Sequence, residues 1–245
     1  MIEGLRRDRP AFLASVMTAA EAEMAFRGGA DIIDCKDPAS GALGALHAGL
    51  VRDIVAAIAG RVPVSATIGD LPAEADAMVP ATDAMSATGV DIVKIGFFGD
   101  QDLRPVIAAL GRENRPPIQL VAVLMADRNP DISLLPVLAA NGFAGAMLDT
   151  ADKSAGRLTT VLSPDHLTEF VRVAAANGLS AGLAGSLQRG DIASLARLGA
   201  DVLGFRGALC TSGRASGLDP KHLATVRHEF ERARSASAAR EKSVA

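Results

Sequence analysis

Three lysines stand where a buried ammonium needs either a partner or a chemical task. Lys36 ends the apolar run Ala30-Asp31-Ile32-Ile33-Asp34-Cys35-Lys36, and Lys94 lies inside Asp91-Ile92-Val93-Lys94-Ile95-Gly96. Lys153 follows Gly145-Ala146-Met147-Leu148-Asp149-Thr150 by a few residues. Each run reads as a buried strand, and taking an ammonium out of water costs free energy unless it is paired or loses its proton. Asp34 and Asp149 stand beside two of these lysines and can supply the pairing. A desolvated lysine with a lowered pKa is what Schiff-base chemistry on an aldehyde requires. A single lysine at a strand end is more often a solvated or salt-bridged residue. Three at one level, with two carboxylates, favour a functional set.

The elements that must position these groups follow from the pattern of apolar runs. Strand candidates are 12–16, 30–36, 62–68, 91–97, 119–125, 145–150, 179–185 and 200–206. Helical stretches lie at 18–27, 46–59, 101–111, 131–141, 164–177 and 188–198, with another expected inside 71–89. The punctuation repeats: Gly29-Ala30-Asp31-Ile32, Gly89-Val90-Asp91-Ile92 and Gly199-Ala200-Asp201-Val202 share one pattern. Asn141-Gly142 and Asn177-Gly178 are looser copies. Glycine there suits the left-handed residue that ends a helix. Thr18 to Glu21 reads as a capping box, and Ser163-Pro164 as a helix start.

Eight strands alternating with helices, each apolar on both faces, predict a single (β/α)8 TIM barrel. A doubly wound open sheet is the alternative, but no G-x-G-x-x-G follows the first strand. The catalytic domain is expected over 1–230, with 231–245 a helix extension or frayed tail. The length of 245 residues fits one such barrel of roughly 250.

In a barrel of this kind the active site lies at the C-terminal strand ends. Strand period two puts Asp34 and Lys36 on one face and Cys35 on the other, facing the helices. Ser65, Thr67 and Gly69 share a face, with Asp70 just beyond, as further pocket residues. Lys94, Asp149 and Lys153 would converge on the same mouth. After the last two strands, Gly185-Ser186 and Gly204-Phe205-Arg206-Gly207 read as a phosphate site of backbone N–H groups, one hydroxyl and one guanidinium. The simpler reading is that these glycines only turn the chain. The loop Asp37 to Ala45 is a weaker candidate for covering the substrate or binding a second phosphate.

Composition closes off other classes. Net charge is −3, and basic residues are scattered apart from small terminal clusters, so nucleic acid is not expected as a partner. With no Tyr or Trp, stacking platforms for single strands are not expected either. No apolar run reaches the roughly 18 residues of a membrane span. Arg6-Arg7 before the apolar run to Val16 could be mistaken for a signal segment, but the run is short and a helix start follows directly. Two distant cysteines, Cys35 and Cys210, make neither a disulfide framework nor a zinc site, and a cytoplasmic setting fits best. The histidines, His47, His166, His222 and His228, lie in helical stretches without metal spacing. No metal or cofactor is expected. Exposed Ala/Leu helix faces would allow a homo-oligomer without locating its interface.

The motifs Asp31-Ile32-Ile33-Asp34-x-Lys36, with Pro38, Gly41 and Leu43-Gly44-Ala45, resemble those of a known family. Ser65 to Asp70, Val93-Lys94-Ile95-Gly96, Leu148-Asp149-Thr150 with Lys153, Leu183 to Leu187 and Gly204-x-Arg206-Gly207-Ala208 extend the match. Together they resemble (5-formylfuran-3-yl)methyl phosphate synthase, from about Phe12 to Arg214, most weakly around 100–135. The resemblance implies condensation of two glyceraldehyde 3-phosphate molecules to 4-(hydroxymethyl)-2-furancarboxaldehyde phosphate, with loss of phosphate and water, in methanofuran biosynthesis. It implies a Schiff base on Lys36, with Asp34, Lys94, Asp149 and Lys153 as the other active-site residues. A class I aldolase-like enzyme on another small phosphorylated aldehyde would use the same lysines. A phosphosugar isomerase needs no Schiff base, and a non-catalytic sugar-phosphate sensor would bind without turnover.

Overall fold

The structure is a computed structural model that describes residues 10–99, 101–112, 118–152 and 156–244. The short β-branched runs form β1 (Ala11–Val16), β2 (Ile32–Cys35), β3 (Val64–Thr67), β4 (Ile92–Phe97), β5 (Gln119–Met125), β6 (Gly145–Asp149), β7 (Ser180–Leu183) and β8 (Val202–Phe205). They pair in parallel in sequence order, and β8 closes against β1. Around them run α1 (Ala19–Arg27), α2 (Ala48–Ile58), α3 (Ala75–Ser86), α4 (Arg104–Arg112) and α5 (Leu135–Ala140). The layer is completed by α6 (Leu158–Val161), α7 (Pro164–Ala176), α8 (Ile192–Arg197) and α9 (Pro220–Val244). The chain is a (β/α)8 barrel, as the alternation of runs predicts. Among the described residues no helix is long and apolar enough to cross a membrane.

The departures from expectation are local. The helices predicted at 131–141 and 188–198 are short, because 3-10 turns at Ile132–Leu134 and Arg189–Asp191 take their first residues. The single-turn α6 lies where no helix is predicted, and α9 runs on through the stretch left open between helix and frayed tail.

The repeated Gly-x-Asp punctuation has a double purpose. Gly29, Gly89, Gly142, Gly178 and Gly199 all adopt φ between +71° and +89°, the left-handed helix end that the pattern predicts. The aspartates then staple strands in pairs. Asp31 Oδ2 accepts from Phe12 N, Asp91 Oδ2 from Val64 N and Asp201 Oδ2 from Ala181 N, each at 2.8 Å. Each aspartate's own N–H donates back to the carbonyl of the same partner residue. This reciprocal pair fixes the lower ends of β1–β2, β3–β4 and β7–β8. At β5–β6 the equivalent position is Ala144, which keeps the backbone bond to Leu120 O but has no carboxylate to accept from Leu120 N in return.

The barrel interior is graded. Its lower part is filled by Leu13, Ile32, Ile92, Val121, Val123, Met147 and Val202. Its upper part is charged. Outside the strands the core continues to the helices, where Phe12 stacks on Phe230 with centroids 5.1 Å apart. Cys35 faces this outer layer, as strand period two requires. Burial pushes its thiol well above the ordinary range, and the Asp34 carboxylate adds to the shift. Burial also raises the Cys210 thiol.

Replacing Asp201 with Ala strands the Ala181 N–H at the start of β7 and should cost about 1–2 kcal/mol. Thermal melting should fall by several degrees, and Asp201→Asn, which keeps an acceptor, should lose less. A melting temperature unchanged in Asp201→Ala would contradict the staple. Because a raised thiol pKa keeps both cysteines protonated at pH 8, neither should react with a thiol-specific disulfide reagent until the protein is unfolded. Rapid titration of one thiol in the native protein would contradict that.

Candidate active site

Inward-facing positions on neighbouring strands bring the polar groups to one level. Ser15 lies opposite Asp34, Asp34 opposite Ser65, Thr67 opposite Lys94 and Met125 opposite Asp149. Two ion pairs result, and they cross between strands. Lys94 Nζ lies 2.8 Å from Asp34 Oδ1, with the side chains 4% and 1% exposed. Lys36 Nζ donates to Asp149 Oδ2 at 3.2 Å. So each carboxylate serves a lysine from a distant strand rather than its sequence neighbour.

The two pairs differ in their surroundings. Asp34 also accepts from Ser15 Oγ at 2.8 Å and Ser65 Oγ at 2.7 Å. Three donors on one carboxylate make a rigid acceptor, which fixes Lys94. Asp149 Oδ1 accepts from Thr150 N at 2.7 Å, which orients the carboxylate at its strand end. Its Oδ2 accepts from Lys36 Nζ, at a distance that permits proton exchange.

Above them lies a cavity of about 320 Å³ lined by Asp34, Lys36, Lys94, Asp149, Gly185, Ser186, Gly204, Arg206 and Gly207. Its space comes from the small residues of β7 and β8. Ala184, Gly185 and Gly204 line it there, and a Cβ on Gly204 would stand 3.1 Å from Ala184 Cβ. Ser186 takes φ +51°, a backbone state that costs a non-glycine residue free energy and is found most often at functional loops. Among the described residues no acceptor meets the N–H groups of Gly185, Ser186, Gly207 or Ala208. A Cβ at Gly207 would enter open space. The wall between β7 and β8 is therefore a set of unused backbone donors. A second cavity of about 250 Å³, lined by Arg104, Arg128 and Asp131, lies beside the β4 and β5 ends and contains none of the paired lysines.

Four residues expected in the pocket take other roles. The guanidinium of Arg206 lines the cavity, but its donors are spent: on Glu21 Oε2 at 2.6 Å and on the carbonyls of Ser15, Arg214 and Ser216. It is a buried brace of the loop after β8, not an available anion ligand. Asp70 accepts from Ala42 N and Leu43 N and so shapes the loop after β2. Thr67 donates to Gly44 O in that same loop. Ser65 faces inward but spends its hydroxyl on Asp34. Lys153 lies outside the described residues.

Two groups escaped the sequence reading. Ser15 shares the inward face of β1 with Leu13, so strand parity could have found it. Arg214 lines the cavity from the loop after β8 and donates from Nη2 to Gly41 O at 2.8 Å, across 173 residues of sequence. No local pattern signals that reach.

Comparison with known proteins identifies relatives along most of the chain. The family described as 4-HFC-P synthase matches residues 12–227. A (5-formylfuran-3-yl)methyl phosphate synthase of Methanopyrus kandleri is 37% identical, covering 88% of this chain and 96% of its own length. One from Methanosarcina mazei is 34% identical over 84% of this chain and 93% of its own. A Methylorubrum extorquens protein given the same name provisionally is 45% identical, over 88% and 89%. Among solved structures, phosphoribosyl anthranilate isomerase from Thermus thermophilus superposes with a TM-score of 0.65 at 12% identity, covering 91% of this chain and 98% of that one. That likeness shows the barrel alone. The sequence matches, spanning nearly all of the barrel, show that the chain belongs to the 4-HFC-P synthase family.

Proposed function

We propose that the chain condenses two molecules of glyceraldehyde 3-phosphate to (5-formylfuran-3-yl)methyl phosphate, with loss of phosphate and water, through a Schiff base on Lys36. The reaction class is a carbon–oxygen lyase acting on phosphates, and its place is the biosynthesis of methanofuran or an analogue. One observation carries the reading: Lys36, which lines the cavity, is hydrogen-bonded to a carboxylate, Asp149, that can take and return its proton.

The chemistry follows from that pair. Lys36 passes a proton to Asp149 Oδ2 and attacks the aldehyde carbon. The hydroxyl of the adduct leaves as water with that proton, giving an iminium and restoring the Asp149 carboxylate. The iminium acidifies the neighbouring C–H, and Asp149 removes that proton as general base. The enamine then expels phosphate or attacks the second aldehyde, and ring closure with loss of water gives the furan. Asp34 is the positioning residue, because its acceptor sites are already held by Ser15, Ser65 and Lys94. Lys94 presents a fixed cation to the departing oxygen. The donor wall at Gly185, Ser186 and Gly207 suits a substrate phosphate, with Gly204 giving the room. The unpaired thiols suit a cytoplasmic setting.

Lys36→Arg keeps the charge but forms no imine. With glyceraldehyde 3-phosphate it should lose near-ultraviolet furan absorbance and phosphate release together, on the order of 10³-fold or more. Full turnover in Lys36→Arg would remove the Schiff base from this lysine. Phosphate release without a furan chromophore in the wild type would instead point to another aldol or elimination product.

A further inference from the structure

We infer that Arg214 is the guanidinium that holds the substrate phosphate in this cavity. The inference rests on the reading of a phosphorylated aldehyde as substrate. It starts from the charges that line the cavity. Lys36 is matched by Asp149 and Lys94 by Asp34. Arg206 is matched by Glu21 at 2.6 Å and has its donors occupied. These pairs sum to zero, so they offer little to a dianion. Among the described lining residues Arg214 is the remaining cation: the carboxylate whose charge it offsets, Asp37, stands outside the lining, and its one hydrogen bond, from Nη2, goes to the neutral Gly41 O.

The surrounding loops are built to present it. Arg206 donates from Nε to Arg214 O at 2.9 Å and from Nη2 to Ser216 O at 2.7 Å, which fixes the backbone at the arginine and just after it. Gly213, at φ +81°, also lines the cavity and turns the chain there. On the far side, Asp70 holds Ala42 and Leu43, and Thr67 holds Gly44, so Gly41 O is a fixed landing point. A Cβ on Gly41 would collide with the Asp70 carboxylate, so no larger residue fits that turn. Arg214 therefore spans the mouth from the β8 loop to the β2 loop. It lines the same cavity as Gly185, Ser186 and Gly207, whose N–H groups meet no acceptor among the described residues. A phosphate seated between them receives backbone donors from one side and a guanidinium fork from the other, the geometry that favours bidentate recognition.

The test compares wild type, Arg214→Gln and Arg214→Lys in two measurements: calorimetric binding of inorganic phosphate, and steady-state kinetics with glyceraldehyde 3-phosphate. Loss of a charged phosphate contact should weaken phosphate binding and raise KM by about 10- to 100-fold. The effect on kcat should be much smaller, and Arg214→Lys should recover part of the loss. Unchanged phosphate affinity in Arg214→Gln, or no phosphate binding by the wild type at millimolar concentration, would overturn the assignment. So would a fall in kcat with KM untouched. If the wild type makes no furan, the synthase reading fails, yet phosphate calorimetry still decides the role of Arg214.

Discussion

The pair of buried lysine–aspartate bridges governs how this barrel is built. Taking two ammonium groups and two carboxylates out of water is costly, and removing one partner would leave an uncompensated charge in the interior. The structure meets the cost by crossing the partners between strands. Asp34 of β2 holds Lys94 of β4, and Asp149 of β6 holds Lys36 at the end of β2. The inward hydroxyls of Ser15 and Ser65 complete the first pair. The second is left nearer the cavity. The same four charges thus become one rigid pair and one more open pair, and in the mechanism we propose that asymmetry separates a positioning carboxylate from a general base.

A layer of support surrounds the pairs. Several polar residues at the mouth act on loops rather than on substrate. Arg206 with Glu21 braces the loop after β8, while Asp70 and Thr67 pin the loop after β2. Buried donors and acceptors of this kind must be satisfied wherever they lie, so a polar residue at a strand end is a candidate for either task. The small residues Ala184, Gly185 and Gly204 line the empty volume on its β7–β8 side.

The architecture was legible because its cues are local. Apolar runs of strand length, left-handed glycines and a repeated Gly-x-Asp pattern each report on a few neighbouring residues, and the barrel follows from their order. Strand parity likewise separated Asp34 and Lys36 from Cys35. The pairing within the site was not legible, since adjacency in sequence suggested Asp34 beside Lys36 whereas strand register joins Asp34 to Lys94. The same limit applies to Arg206 and Arg214. Both are arginines after β8, and only contacts with Glu21 and Gly41, 185 and 173 residues away, show which one is spent and which still has donors.

The division between the two lysines is tested most directly by trapping the imine. The protein is incubated with glyceraldehyde 3-phosphate, reduced with borohydride and mapped by peptide mass spectrometry. The adduct should sit on Lys36, whose proton Asp149 can take, and should be absent from Lys94, which Asp34 holds. A reduced adduct on Lys94, or none on any lysine while furan accumulates, would contradict the mechanism.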